Sequence, residues 1–244
     1  MKLRRKWGFY EKYVKRALDI ICSLLAIVVF SWLYLFIAVL VRVKMGSPVL
    51  FRQPRPGMID PNTGQEKIFP MYKFRTMTDE LDEQGNLLPD EQRLSRFGRM
   101  LRATSLDELP EAFNILKGDM SVIGPRPQLV RDMVFMSDEQ RRRHTAKSGL
   151  SGLAQVMGRN AITWEDKFSW DLKYIEQVSF WNDLKIIGLT VRKVFGVKQA
   201  DASETDVALD YGDALLNSGK ITKEEYDELQ AYAEKLIAAW ELQK

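Results

Sequence analysis

Two adjacent carboxylates, Asp107 and Glu108, stand in the run ATSLDELPEAF at the apparent start of a helix. One account of them is architectural. Ser105 and Glu108 have the spacing of a capping box, and Asp107 would complement the positive end of the helix dipole. The other account is chemical, because the same geometry suits phosphoryl transfer. Unpaired N–H groups and partial positive charge would keep Asp107 ionised and stabilise charge developing on phosphorus. A carboxylate can attack phosphorus and split one transfer into two easier steps. Glu108 beside it could hold Mg²⁺, a hard cation that takes few protein carboxylates and completes its shell with substrate phosphates. Cations suited to phosphate lie nearby in sequence or by plausible fold: Arg102 before the dyad, Lys73 and Arg75 in YKFRTM, and Arg126 in GPRPQ, framed by Pro125 and Pro127. A turn with an incidental arginine is the alternative for Arg126.

The elements that must position these groups begin with one apolar segment. Ile20 to Val41 carries no charge over 22 residues, about 33 Å if helical and long enough to span a bilayer. No small-residue cleavage site follows, so the segment is expected to be retained. Basic residues flank it on both sides, from Lys2 to Arg16 before it and from Arg42 to Arg55 after it. Positive charge at both ends marks both as cytoplasmic, which a straight span cannot satisfy. A helix that breaks near Ser31 and returns to the same leaflet can.

Beyond Pro48, VLFRQ and KIFPMYKFRTM read as short strands around a turn region, PRPGMIDPNTGQ. Residues 79–95 read as an acidic loop leading into the helical RFGRMLRA. SDEQRRRHTAK, WEDKFSWDLKYIEQV and FWNDLKIIGLTVRKVF read as helices, the last with an apolar face fit for a membrane interface. KQADASETD reads as a linker. Two short amphipathic helices then flank Gly219, with Thr222 and Glu225 at capping-box spacing and a stripe including Ile221, Tyr226, Leu229, Leu236, Ile237 and Trp240 that needs a partner surface.

Composition excludes several classes. A net charge of +3 and no basic run interleaved with aromatics argue against nucleic acid. One cysteine, Cys22, and one histidine, His144, leave no intramolecular disulfide and no zinc cluster. Cys22 reads as an apolar filler and His144 as a solvated helix residue.

Taken together, KRALDIICSLLA, GSPVLFRQPRPG, YKFRTM, LRATSLDELPEAFNILKGDMSVIGPRP, GLAQVMGRNAITW and DLKIIGLTV resemble the bacterial sugar transferase family, the small monotopic phosphoglycosyl transferases, over about residues 10 to 196. The resemblance is closest to the minimal branch acting on N-acetylated, often modified sugars. It implies transfer of a sugar 1-phosphate from a UDP-sugar to undecaprenyl phosphate, with Asp107 as nucleophile and UMP released. It further implies Glu108 as the Mg²⁺-associated acid, Lys73, Arg102 and Arg126 as phosphate-binding cations, Gln155, Arg159 and Asn160 near the nucleotide, and Asp171 as a supporting acid. The implied location is the bacterial inner membrane, with membrane lipids around the first segment and the catalytic domain on the cytoplasmic face.

The expected fold is α+β and mainly helical: a re-entrant membrane helix over 1–45, a catalytic domain over 46–196 with a small β-hairpin and interfacial amphipathic helices around the site, and a linker with a helical hairpin over 197–244. That hairpin is a candidate for homo-oligomer formation or partner docking. The sequence departs from the family where Ser31-Trp32 replaces Ser-Pro at the membrane break. It departs again where KSGLSGL replaces a stiffer Arg-Pro-Gly-x-Thr-Gly-Trp loop, which is expected to soften the loop. A membrane-anchored assembly factor that keeps the scaffold without the chemistry is the alternative class.

Overall fold

The computed structural model describes residues 5–158, 162–195 and 209–242. The chain is mixed and mostly helical. In order the elements are α1 (Lys15–Val29), α2 (Ser31–Met45), β1 (Leu50–Ile59), β2 (Glu66–Phe74), α3 (Asp90–Arg93), α4 (Arg96–Ala103), α5 (Glu111–Lys117), β3 (Met120–Ile123), α6 (Val130–Met133), α7 (Asp138–Arg141), β4 (Ser148–Ser151), α8 (Leu153–Met157), α9 (Trp164–Glu176), α10 (Phe180–Phe195), α11 (Tyr211–Asn217) and α12 (Lys223–Glu241). They form two compact units, one of Met1–Leu18, Pro54–Phe69 and Asp119–Lys244, the other of Asp19–Gln53 and Pro70–Gly118.

Among the described residues no single helix is long and apolar enough to cross a membrane, but the helical stretches Tyr10–Val29 and Ser31–Met45 pass that test together, bent by 63°. The bend falls at Phe30, immediately before Ser31, where φ −96° and ψ 11° leave the helical region. A kink therefore forms without the proline. One stripe of α2, containing Ile37 and Val41, packs with Phe74 and Leu101 into the core of the smaller unit. The opposite stripe, with Trp32, Leu35, Phe36, Val39 and Val43, is exposed, as are Ile21, Leu24, Leu25 and Val28 of α1. Exposed apolar residues grouped on a helix in this way suit an apolar partner or phase.

β1 and β2 pair as a hairpin. The turn is shorter than the sequence suggests: β1 runs through Arg55-Pro56-Gly57, and the chain reverses between Asp60 and Gln65, with Gly64 at φ 71°. Pro54 and Pro56 are tolerated because both strands of a two-stranded sheet are edges.

In the larger unit β3 and β4 pair in parallel, Met120 with Ser148, Ser121 with Gly149 and Ile123 with Ser151. This sheet corrects the expectation of a softened loop, since Ser148 to Ser151 of KSGLSGL is a paired strand. A Cβ on Gly149 would lie 2.0 Å from the Gly124 nitrogen, so the backbones touch where only glycine fits. Ile123, Ala146, Leu153, Tyr174, Ile175 and Ile186 form the core beside the sheet.

Around Gly219 the chain forms the short α11 and a much longer α12 than the two short helices expected, with the Thr222–Glu225 capping box in place. The stripe finds a partner in the same chain: Ile221, Tyr226 and Leu229 pack against Phe135, Met136 and Tyr211, and Leu236 and Ile237 against Val130 and Met133. The linker reading of KQADASETD falls outside the described residues.

Candidate active site

The dyad does not sit at a capped helix start. Ser105 adopts a left-handed conformation, φ 54° and ψ 19°, and its side chain makes no cap. Leu106–Glu108 form a single 3-10 turn, and α5 begins only at Glu111, after Pro110. The expected capping box is thus corrected: Glu108 Oε1 instead accepts from Lys73 Nζ at 2.7 Å. Lys73 also lies 3.3 Å from Glu111 Oε1, so one ammonium bridges two acids a helical turn apart.

This arrangement is held by Asn114, which is fully buried in α5. Its Nδ2 donates to the Pro70 carbonyl at 2.6 Å and its Oδ1 accepts from the Tyr72 amide at 3.0 Å. Strand β2, which carries Lys73, is thereby fastened to the helix that carries Glu111. From the other side, the Tyr34 hydroxyl of α2 donates to the Leu109 carbonyl at 2.6 Å. The segment two residues beyond Asp107 is tied directly to the apolar helix.

Asp107 is buried, at 7 % exposure. Burial raises its carboxyl above the ordinary range; the Lys73 charge opposes this, Glu108 adds to it and Arg102 opposes it, and the net shift is upward. What acts on the carboxyl is thus burial and neighbouring charge, not a capped helix terminus. Arg102 is exposed on α4, with Nε donating to Thr76 Oγ1 at 3.1 Å. Gly98 lets α4 approach this strand end, since a Cβ there would lie 1.9 Å from the Thr76 carbonyl oxygen. Arg75 is committed to the backbone, donating to the carbonyls of Ser47 and Met77 at 2.9 Å each and pairing with Asp79 at 2.6 Å.

The remaining candidates belong to the larger unit. Arg126 is exposed between two buried prolines, Pro125 and Pro127. Asp171 is 1 % exposed and accepts through Oδ2 from Nε and Nη2 of Arg143, at 2.9 and 2.6 Å. Gln155 Nε2 donates to the Leu150 carbonyl at 3.2 Å. Lys193 of α10 donates to the Gln155 and Gly158 carbonyls at 2.8 and 3.1 Å, fastening the end of α8. Arg159 and Asn160, just beyond, lie outside the described residues.

His144 is the largest departure from the sequence reading. It is 2 % exposed, with Nδ1 3.0 Å from Glu66 Oε1. Glu66 also accepts from Arg141 Nε and Nη2, at 2.8 and 2.6 Å. Burial lowers the His144 pKa against the pull of Glu66. A carboxylate only accepts, so the neutral ring carries its proton on Nδ1 and leaves Nε2 as an acceptor facing Arg143 Nη1 at 3.4 Å. For Glu66 burial is the largest effect and raises its pKa, but the bonds and charges of His144 and Arg141 outweigh it and hold the carboxyl near about 2. No local signal marked Glu66, His144 or Arg143, because their partners are distant in sequence. Glu111 had one faint signal, its place one helical turn beyond the dyad.

The site thus combines a buried carboxylate in the field of two cations with a segment bonded to a helix that exposes apolar side chains. Comparison with known proteins gives the family. The bacterial sugar transferase family model matches residues 10–197. EpsL of Bacillus subtilis (strain 168), described as an uncharacterized sugar transferase, is 48% identical over 191 residues, covering 77% of this chain and 92% of that protein. The UDP-glucose:undecaprenyl-phosphate glucose-1-phosphate transferase of Klebsiella pneumoniae is 41% identical over 201 residues, 76% of this chain and 41% of that protein. The UDP-N-acetylgalactosamine-undecaprenyl-phosphate N-acetylgalactosaminephosphotransferase of Aeromonas hydrophila is 37% identical over 191 residues, 75% of this chain and 44% of that protein. The chain therefore spans nearly all of EpsL and less than half of the other two. It belongs to the bacterial sugar transferase family.

Proposed function

We propose that this protein is a phosphoglycosyl transferase that moves a sugar 1-phosphate from a UDP-sugar to undecaprenyl phosphate, in two steps through Asp107. A carboxylate oxygen of Asp107 attacks the sugar-bearing phosphorus, the bond from that phosphorus to the bridging oxygen breaks, and UMP leaves. An oxygen of the lipid phosphate then attacks the same phosphorus, the bond to Asp107 breaks, and the carboxylate is restored as polyprenyl-diphosphate-sugar departs. Lys73 and Arg102 offset charge near Asp107, and Arg126 binds phosphate.

The observation that carries this reading is the placement of Asp107. Its carboxyl is withdrawn from water and lies in the field of Lys73 and Arg102, on a segment that Tyr34 bonds to the apolar helix pair. A soluble donor and a lipid acceptor can meet only at such a boundary. The exposed apolar surface of α1 and α2 supports embedding in one leaflet of the inner membrane. The basic residues at both flanks of the bent pair support a re-entrant path with the catalytic residues on the cytoplasmic side.

Among the described residues no group of three or more His, Cys, Asp or Glu side chains is arranged to hold a metal ion. Glu108 would be the protein carboxylate toward Mg²⁺, with the rest of the shell supplied by substrate phosphates and water. When bound, Mg²⁺ neutralises diphosphate charge.

The test is UMP release from a panel of UDP-sugars with Mg²⁺, with and without undecaprenyl phosphate, for wild type and Asp107→Asn. Lipid-dependent sustained release that the substitution abolishes is the expected result. Release that survives the substitution, or that is sustained without lipid, would overturn the mechanism.

A further inference from the structure

Arg126 is an exposed side chain on a fully fastened backbone. The Gly124 amide donates to the Ser151 carbonyl at 2.9 Å, and the Pro125 carbonyl accepts from the Gly149 amide at 3.0 Å. The Arg126 carbonyl accepts from Arg143 Nη2 at 2.6 Å, and the Pro127 carbonyl from Arg55 Nη1 at 3.2 Å. Four consecutive residues are each held by a hydrogen bond, and two of them are prolines with fixed φ.

Arg143 is itself immobilised. It is 1 % exposed, its Nε and Nη2 share Asp171 Oδ2, its Nη1 faces His144 Nε2, and its guanidinium lies 6.0 Å from the Phe168 ring centroid. Phe168 and Asp171 stand three apart on α9, so one helix face supplies both the aromatic surface and the counter-charge. A buried guanidinium needs acceptors for all five of its donors. Here the planar fork spends one donor on the carbonyl of an outward-facing arginine.

We propose that Arg143, oriented by Asp171, is a positioning residue that acts through Arg126 to set its guanidinium for the donor's diphosphate. The proposal rests on the reading of Arg126 as a phosphate-binding residue. A guanidinium displaced by a fraction of an ångström loses two-pronged recognition of phosphate oxygens. Lysine at position 143 keeps the charge against Asp171 but lacks a fork that reaches both Asp171 and the Arg126 carbonyl.

The experiment uses the full chain in lipid nanodiscs as wild type, Arg126→Ala, Arg143→Lys and the double variant. UDP affinity is measured by titration, and kcat/KM is measured with the UDP-sugar that supports UMP release. Arg143→Lys is expected to weaken UDP binding and lower kcat/KM about tenfold, and to change neither by more than about twofold when Arg126 is already alanine. Equal losses in both backgrounds would mean a structural role and overturn the proposal, as would an Arg126→Ala protein that binds UDP normally. If Arg143→Lys does not fold, Asp171→Asn takes its place in the same cycle. Should no UDP-sugar support turnover while the UDP-binding cycle still shows the coupling, the transfer reading fails and the positioning role stands.

Discussion

Replacing Glu66 by glutamine isolates the energetic worth of the buried polar network behind the Arg126 loop. Glu66 ionises at about 2 in the folded chain against an ordinary 4.5, a difference worth about 3 kcal/mol at neutral pH. Its side chain is only 2 % exposed, so solvent screening removes little of this. The depressed pKa means that the stabilisation is fully present above pH 4.5 and is lost as pH falls from there toward 2. Glutamine keeps the shape and can accept from His144, but it has no charge for Arg141 and turns an amide donor toward that guanidinium. The expected loss at pH 7 is therefore about 3 kcal/mol, shrinking as the pH falls through the Glu66 window. Urea unfolding of detergent-solubilised wild type and Glu66→Gln, followed by tryptophan fluorescence from pH 7 down to pH 3, reads this directly. A difference that is small at pH 7, or that does not shrink toward pH 3, would refute the assignment. His144 adds an earlier stage to the wild-type profile. Its lowered folded pKa means that protonation favours the unfolded chain below the ordinary histidine value of 6.5, so wild-type stability begins to fall before Glu66 titrates.

Because burial raises the Asp107 pKa, the acid limb of the pH–rate profile should lie above the 3.8 of an ordinary aspartate. Lys73→Met removes the largest opposing charge and should move that limb to still higher pH, measured as UMP release against pH. Gly98→Ala should destabilise the chain by about 3 kcal/mol in thermal melts, because its Cβ meets the Thr76 carbonyl at 1.9 Å. Gly188→Ala, in open space on α10, should instead raise stability by about 0.5–1 kcal/mol. Tags at residues 1 and 244 should be labelled from the same side of sealed vesicles if the bent pair returns to its own leaflet, and from opposite sides if it crosses.

Some features were written locally and could be read locally. The uncharged run Ile20–Val41 exceeds what a soluble core helix needs, and composition alone marks it as an apolar-phase element. The strand Glu66–Phe74, which the sequence extended to Met77, the basic helix Arg96–Ala103 and the Thr222–Glu225 cap depend on neighbours within a few residues, so pattern sufficed. The dyad was visible as a pair of acids, yet its setting was not. The spacing of Ser105 and Glu108 is that of a cap, but Lys73 captures Glu108 from another element and Ser105 turns left-handed.

Tertiary structure decided whatever depends on burying charge. The run Arg141-Arg142-Arg143-His144 looks solvated because a charge in water needs no partner. Folding buries Arg143 and His144, and Glu66 and Asp171, 78 and 28 residues from the sites they pair with, compensate the cost. The β3–β4 pairing likewise rests on a glycine-to-glycine approach across separate segments. Local pattern records which residues prefer an apolar phase or a helical turn. Which charges leave water together is set only when distant segments meet, since the desolvation of each is offset solely by the other.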